Sequence, residues 1–316
     1  MRLLRRLDNH TCAGRGYIAT IGGFDGIHLG HRLLIERART QARDRDLQSM
    51  VLTFEPLPKE YFAPDSPPAR LTNFRERWRL LEQDGPDVFC ALQFNDRLRR
   101  MSAAAFAQML VAGGVQGVVI GHDFRAGYRG EARADWFLRE GSALGLAVDV
   151  VQPLLADGVR IGSGVTRAAL AAGDLQTAAR LLGRRYSMRG RVIQGEQLGR
   201  KLGYPTANLR LARRQAPMNG IFAVRVRGVG NGYGPDSALA GVASLGTRPT
   251  IGGVTPLLEA HVFDFAGDLY GREIEVEFVA RLRDELRFDT VDAMVEQIHR
   301  DADAARVVLA DMAKEG

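Results

Sequence analysis

Cysteine is nearly missing from this chain: two in 316 residues, Cys12 and Cys90, far apart and outside any Cys-x-x-Cys or Cys/His cluster. A disulfide framework is excluded, no zinc pattern is offered, and thiol redox chemistry is not expected. Long apolar runs are missing too. No stretch approaches the roughly 20 residues that cross a bilayer, and the basic start, Met1 to Asp8, is followed by neither an apolar run nor a small-residue cleavage site. The expectation is a soluble, cytoplasmic protein with no membrane segment. Lys plus Arg number 43 against 37 Asp plus Glu, but the surplus is mostly scattered arginine, with no basic platform interleaved with aromatics. No nucleic-acid partner is therefore expected. A mildly basic surface suits small polyanionic substrates, and self-association stays open.

What is present has the length for two cores. In the first half, short apolar runs at 17–22, 49–54, 89–94, 117–121 and 148–151 alternate with amphipathic stretches at 31–46, 73–84, 102–113 and 133–145. This alternation predicts an α/β Rossmann-like domain with a parallel sheet, its ligand site at the carboxyl ends of the strands. After an Ala-rich helix at 167–182 the pattern changes. Strand candidates at 188–194, 220–227, 239–245, 257–265 and 274–278 follow one another with Gly, Pro and Asn between them, which predicts an antiparallel β-barrel or sandwich, closed by a C-terminal helix at 291–312. The expected domains are 1–183 and 184–316.

The first strand runs into Gly22-Gly23-Phe24-Asp25-Gly26-Ile27-His28-Leu29-Gly30-His31 and then a helix. Glycines allow close backbone approach, a helix N-terminus offers free N–H groups to phosphate, and two imidazoles three residues apart share one face of the first turn. Gly23, Asp25 and Gly30 are thus candidates for binding phosphate, and His28 and His31 for donating to charge developing on phosphorus. There is no Walker A sequence. Asp123 follows a later strand, and Ser163 and Arg167 precede a helix where they can grip phosphate. Phe54, Phe62 and Phe124 near strand ends are candidates for packing on a planar ligand ring, or are plain core.

In the second half, Gly195 and Gly199 with Lys201 can wrap polyphosphate. Thr206 and Asn208, spaced by Ala207 after Pro205, offer hard oxygen ligands for Mg²⁺. Glu259, His261 and Phe263 share one strand face by period two. Glu259 is expected on the inner face of the barrel, where a carboxylate is costly unless it works, as the general base toward a primary alcohol. A plain surface glutamate is the alternative.

Taken together, Phe24-Asp25-Gly26-x-His28-x-Gly30-His31, Gly203-Tyr204-Pro205-Thr206-Ala207-Asn208, Gly246-Thr247-Arg248-Pro249-Thr250 and the Glu259 strand resemble the bacterial bifunctional riboflavin kinase/FMN adenylyltransferase (FAD synthetase) family over about 18–306. The resemblance implies an N-terminal adenylyltransferase and a C-terminal six-stranded barrel kinase, converting riboflavin to FMN and FMN to FAD with ATP and Mg²⁺. It further implies that Asp123 helps hold the nucleotide and that Arg283 and Phe288 close over the flavin. The adenylyltransferase motifs depart from the family at Gly23, Leu57, Ala126, Gly162 and Gly164, positions where polar, hydroxyl or aromatic side chains are usual. Two narrower readings follow: a kinase with a weakened adenylyltransferase domain, and a non-catalytic flavin or nucleotide binder.

Overall fold

The computed structural model describes residues 1–7, 15–195, 199, 202–230, 237–250 and 253–315, the side chains of 248–250, 253–254, 313 and 315 excepted. Cys12, Glu196, Gln197, Leu198, Arg200 and Lys201 lie outside the described residues. Two compact units are present, 1–68 with 77–162 and 69–76 with 163–316.

The first unit carries β1 (Arg2–Leu4), β2 (Tyr17–Ile21), α1 (Leu29–Asp44), β3 (Gln48–Glu55), part of α2 (Phe74–Asp84), β4 (Val88–Gln93), α3 (Ala103–Ala112), β5 (Val115–Gly121), α4 (Ala134–Glu140) and β6 (Ala147–Val151). Its strands form one sheet in the order β1-β4-β3-β2-β5-β6, parallel throughout. Tyr17 to Ile21 are buried along the whole of β2, as a strand covered on both faces must be. The order reverses between β2 and β5, so a crevice opens beyond their carboxyl ends, where the glycine-rich turn and Asp123 lie. The parallel sheet is the expected one. β1 is an additional edge strand too short for its own periodicity to announce.

The second unit holds α5 (Ser163–Ala171), α6 (Leu175–Leu182), β7 (Ser187–Ile193), β8 (Ala207–Arg210), β9 (Gly220–Arg227), β10 (Ala238–Thr250), β11 (Gly253–Val262), β12 (Glu273–Arg283) and α7 (Val291–Glu315). The single helix expected at 167–182 is two, because Gly173 takes φ +77 and Asp174 caps a new start, accepting from Thr177 N–H. Leu170, Leu175, Ala178 and Leu182 of this pair join the barrel core, so by packing the pair belongs to the second unit.

The six strands close into an antiparallel barrel in the order β7-β8-β11-β10-β9-β12. Met188, Leu209, Phe222, Val224, Leu245, Leu258, Ala260, Val276 and Phe278 fill it. A fully buried side chain of this size contributes about 1.5–3 kcal/mol. α7 covers the outside, with Ala302, Ala305 and Leu309 packed against Ala223, Val242 and Phe263.

Residues 69–76 are built into this unit by a buried polar network. Arg213, fully buried, donates to both carboxylate oxygens of Glu76 at 2.6 Å and to Tyr186 Oη at 3.0 Å. Glu76 also accepts from the Arg189 and Asn73 backbone N–H groups at 2.8 and 2.7 Å. Breaking such a pair from one side leaves a buried charge, at a cost of about 3–5 kcal/mol.

Candidate active sites

In the first unit, the turn after β2 packs the expected residues on one another. His28 caps α1, its Nδ1 accepting from His31 N–H at 3.2 Å, and the two rings stack at 3.6 Å with planes 17° apart. With Nδ1 used as acceptor, Nε2 of His28 is the nitrogen that can donate. Burial, then His28, then Arg77 hold the His31 pKa well below its usual range. His31 is therefore neutral near pH 7, and its Nδ1 is buried without a hydrogen bond among the described residues. Asp25 is buried, and Phe24 and Ile27 adopt positive φ values of 47° and 44° although both are fully buried. Such backbone persists only where the surroundings over-determine it.

Part of that support is Arg77, which the sequence reading missed. Fully buried on α2, it donates to Gly23 O at 3.1 Å and Thr53 Oγ1 at 3.3 Å, and pairs with Glu55. The available signal was a charge at helical spacing between Phe74 and Leu81, where the apolar face of α2 runs. Gly23 is thereby held through its carbonyl, while a Cβ added to it would meet nothing closer than Leu57 Cδ2 at 3.7 Å. A Cβ at Gly30 would crowd His28 at 3.2 Å.

Asp123, beyond β5, is paired with Arg160 at 2.6 Å. Phe54 and the 61% exposed Phe62 both meet Phe94, at 5.8 and 5.7 Å between ring centroids, and Tyr61 joins them at 5.2 Å. Phe94 and Tyr61, which carried no signal in the sequence, complete an aromatic shelf with Phe54 and Phe62, two of the three phenylalanines expected to pack on a ligand ring. Phe124 packs instead on Phe137 of the core at 5.4 Å. Ser163 starts α5 and Arg167 lies one turn later, both in the second unit, with Arg167 Nε donating to Ala69 O at 2.8 Å.

In the second unit, a cavity of about 290 Å³ gathers Gly199, Thr206, Asn208, Glu259, Arg283 and Phe288 in one wall. Register explains how residues so far apart meet. Asn208 on β8 stands opposite Glu259 on β11, which stands opposite Ser244 on β10, so the three form one row across adjacent strands. Period two sends Leu209, Leu258, Ala260, Ala243 and Leu245 into the barrel core. Glu259 therefore points out of the barrel, toward the face that α7 covers, and not to the inner face that was expected; it is half-buried in the cavity wall. An inward carboxylate would have had to displace the aliphatic packing of that core.

The glycines of this motif serve packing at close range. A Cβ at Gly195 would fall 2.6 Å from Asn208 Nδ2, and one at Gly199 would fall 2.3 Å from Tyr204 O. Gly199 O accepts from the N–H groups of Leu202 and Tyr204 at 3.1 and 2.8 Å, turning the chain toward Thr206. His261 Nδ1 lies 2.8 Å from Pro205 O, and Tyr204 Oη lies 2.5 Å from His299 Nδ1. Among the described residues no cluster of three His, Cys, Asp or Glu side chains could hold a metal alone. Thr206 hydroxyl and Asn208 carboxamide are neutral hard donors, the kind that share Mg²⁺ with nucleotide phosphates. Glu285, between Arg283 and Phe288 in the sequence and also lining the cavity, has its carboxyl pKa raised by burial against the opposing pull of Arg283.

A parallel α/β unit with a glycine- and histidine-lined strand-to-helix turn, and a closed barrel whose cavity gathers a carboxylate with neutral hard-oxygen side chains, are the parts of a two-domain nucleotide-dependent transferase. The comparisons narrow this. A family model described as FAD synthetase matches 11–165 and one described as riboflavin kinase matches 182–309. Bifunctional riboflavin kinase/FMN adenylyltransferases of Pseudomonas fluorescens and Escherichia coli K12 are 42% and 40% identical, covering 99% and 97% of each chain. The chain belongs to the bifunctional riboflavin kinase/FMN adenylyltransferase family. A solved Streptococcus pneumoniae structure described as a macrolide-efflux protein is also similar, at 28% identity and TM-score 0.79 over 97% of this chain and 99% of that one. Among the described residues no helix is long and apolar enough to cross a membrane.

Proposed function

We propose that the chain phosphorylates riboflavin to FMN in the barrel pocket and adenylylates FMN to FAD at the strand-to-helix turn, with ATP as the co-substrate of both steps. The observation that carries the reading is the meeting of Glu259, Asn208 and Thr206 with Arg283 and Phe288 in one cavity. In the kinase step Glu259 takes the proton of the riboflavin primary hydroxyl as its oxygen attacks the γ-phosphorus, and ADP leaves. Thr206 and Asn208 would hold Mg²⁺, which would supply neutralisation of phosphate charge; Gly195 and Gly199 are assigned to the polyphosphate, as is Lys201, which falls outside the described residues. Arg283 and Phe288 wall the flavin.

In the adenylyl step an oxygen of the FMN phosphate attacks the α-phosphorus and diphosphate leaves. His28 and His31 donate to the phosphate oxygens without becoming nucleophiles, and Gly23, Asp25 and Gly30 shape the turn that receives them. Asp123, Ser163 and Arg167 are assigned nucleotide or phosphate contacts on the family motifs; Phe54 and Phe62, on the aromatic shelf, are the candidates for flavin packing, and Phe124, packed on Phe137, is the weaker one. The two narrower readings are not favoured, since both family models match and the curated relatives span both halves. A cytoplasmic location accords with substrates made and used inside the cell. Chromatography of products from riboflavin, ATP and Mg²⁺, repeated with FMN as the starting flavin, tests the proposal: FMN and then FAD are expected, and no product from either flavin would sink it.

A further inference from the structure

α7 contributes nothing to the motifs that mark the kinase, yet Asp301 lines its cavity. Asp301 is buried, its side chain 8% exposed, a position where a carboxylate needs a partner. The partner is Arg283, the last residue of β12. Its Nε donates to both carboxylate oxygens at 2.8 and 3.1 Å, and its Nη2 to Oδ2 at 2.6 Å. The remaining nitrogen, Nη1, donates to Asp284 O at 2.7 Å. Asp301 is itself held by Gln297, one turn earlier on α7, whose Nε2 donates to Oδ1 at 2.9 Å. All three guanidinium nitrogens are thus engaged, and the plane is fixed with its carbon 6.0 Å from the centre of the Phe288 ring.

Helix docking does not require this arrangement, because α7 is already seated by Ala302, Ala305 and Leu309. We propose that Asp301 is a positioning residue for the flavin side of the kinase pocket: it presets Arg283, and with it Phe288, as a rigid wall. Gln297 locks Asp301 in turn. An arginine free to sample its rotamers would have to be ordered each time a flavin bound, whereas a clamped one meets the ring already in place. The inference rests on reading the cavity as the riboflavin kinase site.

The test uses the full chain and two readouts, riboflavin affinity by quenching of flavin fluorescence and steady-state kinetics with riboflavin and ATP varied in turn. Asp301→Asn is expected to raise Kd and KM for riboflavin about tenfold while kcat and KM for ATP move far less. Gln297→Ala should give a smaller change in the same direction. Asp301→Ala introduced into an Arg283→Ala background should add nothing, because the effect passes through Arg283. A cooperative urea transition of the barrel matching that of the wild type reports that each variant is folded. Unchanged riboflavin affinity in Asp301→Asn, or additive effects of the Asp301 and Arg283 variants, overturns the proposal. If the Asp301 variants fail to fold, unchanged affinity in Gln297→Ala overturns it. A wild-type protein that phosphorylates no riboflavin defeats the kinase reading itself, a separate outcome.

Discussion

At the turn after β2, the side chains assigned to chemistry come from one contiguous stretch, 23–31; His28 and His31 are stacked on each other, and Arg77 holds the Gly23 carbonyl at the start of the turn. In the barrel they come from β8, β11, the end of β12 and α7, and meet only because register aligns Asn208, Glu259 and Ser244 in one row. A local site of the first kind is buried and strained in its backbone. A site of the second kind is assembled on an outer barrel face and finished by groups from the segment after β12 and from the covering helix. The first is set by a turn and the second by topology, so single substitutions should separate the two activities cleanly.

The largest expected separation is at Glu259. Glu259→Gln removes the proton acceptor without changing size, and FMN formation from riboflavin should fall by about 10²–10⁴-fold, measured by chromatography, while FAD formation from FMN persists. Next is His31→Ala, which should lower FAD formation by about 10²–10³-fold and leave riboflavin phosphorylation intact. If either substitution depresses both reactions equally, the comparison breaks.

A smaller effect sharpens it. A Cβ at Gly162 or Gly164 meets nothing within 4 Å, so hydroxyl side chains fit at both positions. Gly162→Ser with Gly164→Thr should raise the FAD-forming rate by about tenfold, the worth of one charge-assisted hydrogen bond. The smallest effect is on stability. The folded chain holds the His31 pKa below its ordinary value of about 6.5, so the unfolded chain binds the extra proton as pH falls. The contribution is present in full above about pH 6.5 and is lost as pH drops from there toward the lowered folded value. Urea midpoints of the wild type should therefore decline between about pH 7.5 and pH 5.5, and His31→Gln should flatten that decline.

The same contrast explains what was legible in the sequence. The His28 and His31 turn could be read because glycines, imidazoles and a helix start are adjacent in the chain. Thr206, Asn208 and Glu259 could be read as chemical types, but the face Glu259 takes could not: alternation along one strand fixes two faces and leaves open which is the core. β8 was missed because Ala207–Arg210 is short and follows directly on the glycine-rich loop. Arg77, Ser244 and Asp301 were missed because each is one polar residue in an otherwise ordinary element, and only tertiary contact gives it a role.

The most direct test of two separate sites is complementation with riboflavin, ATP and Mg²⁺ as the only substrates. Glu259→Gln alone should make neither FMN nor FAD, and His31→Ala alone should accumulate FMN. The two variants mixed should restore FAD, with FMN passing from one protein to the other. Failure of the mixture to make FAD, with each variant folded and its retained activity intact, would contradict the account.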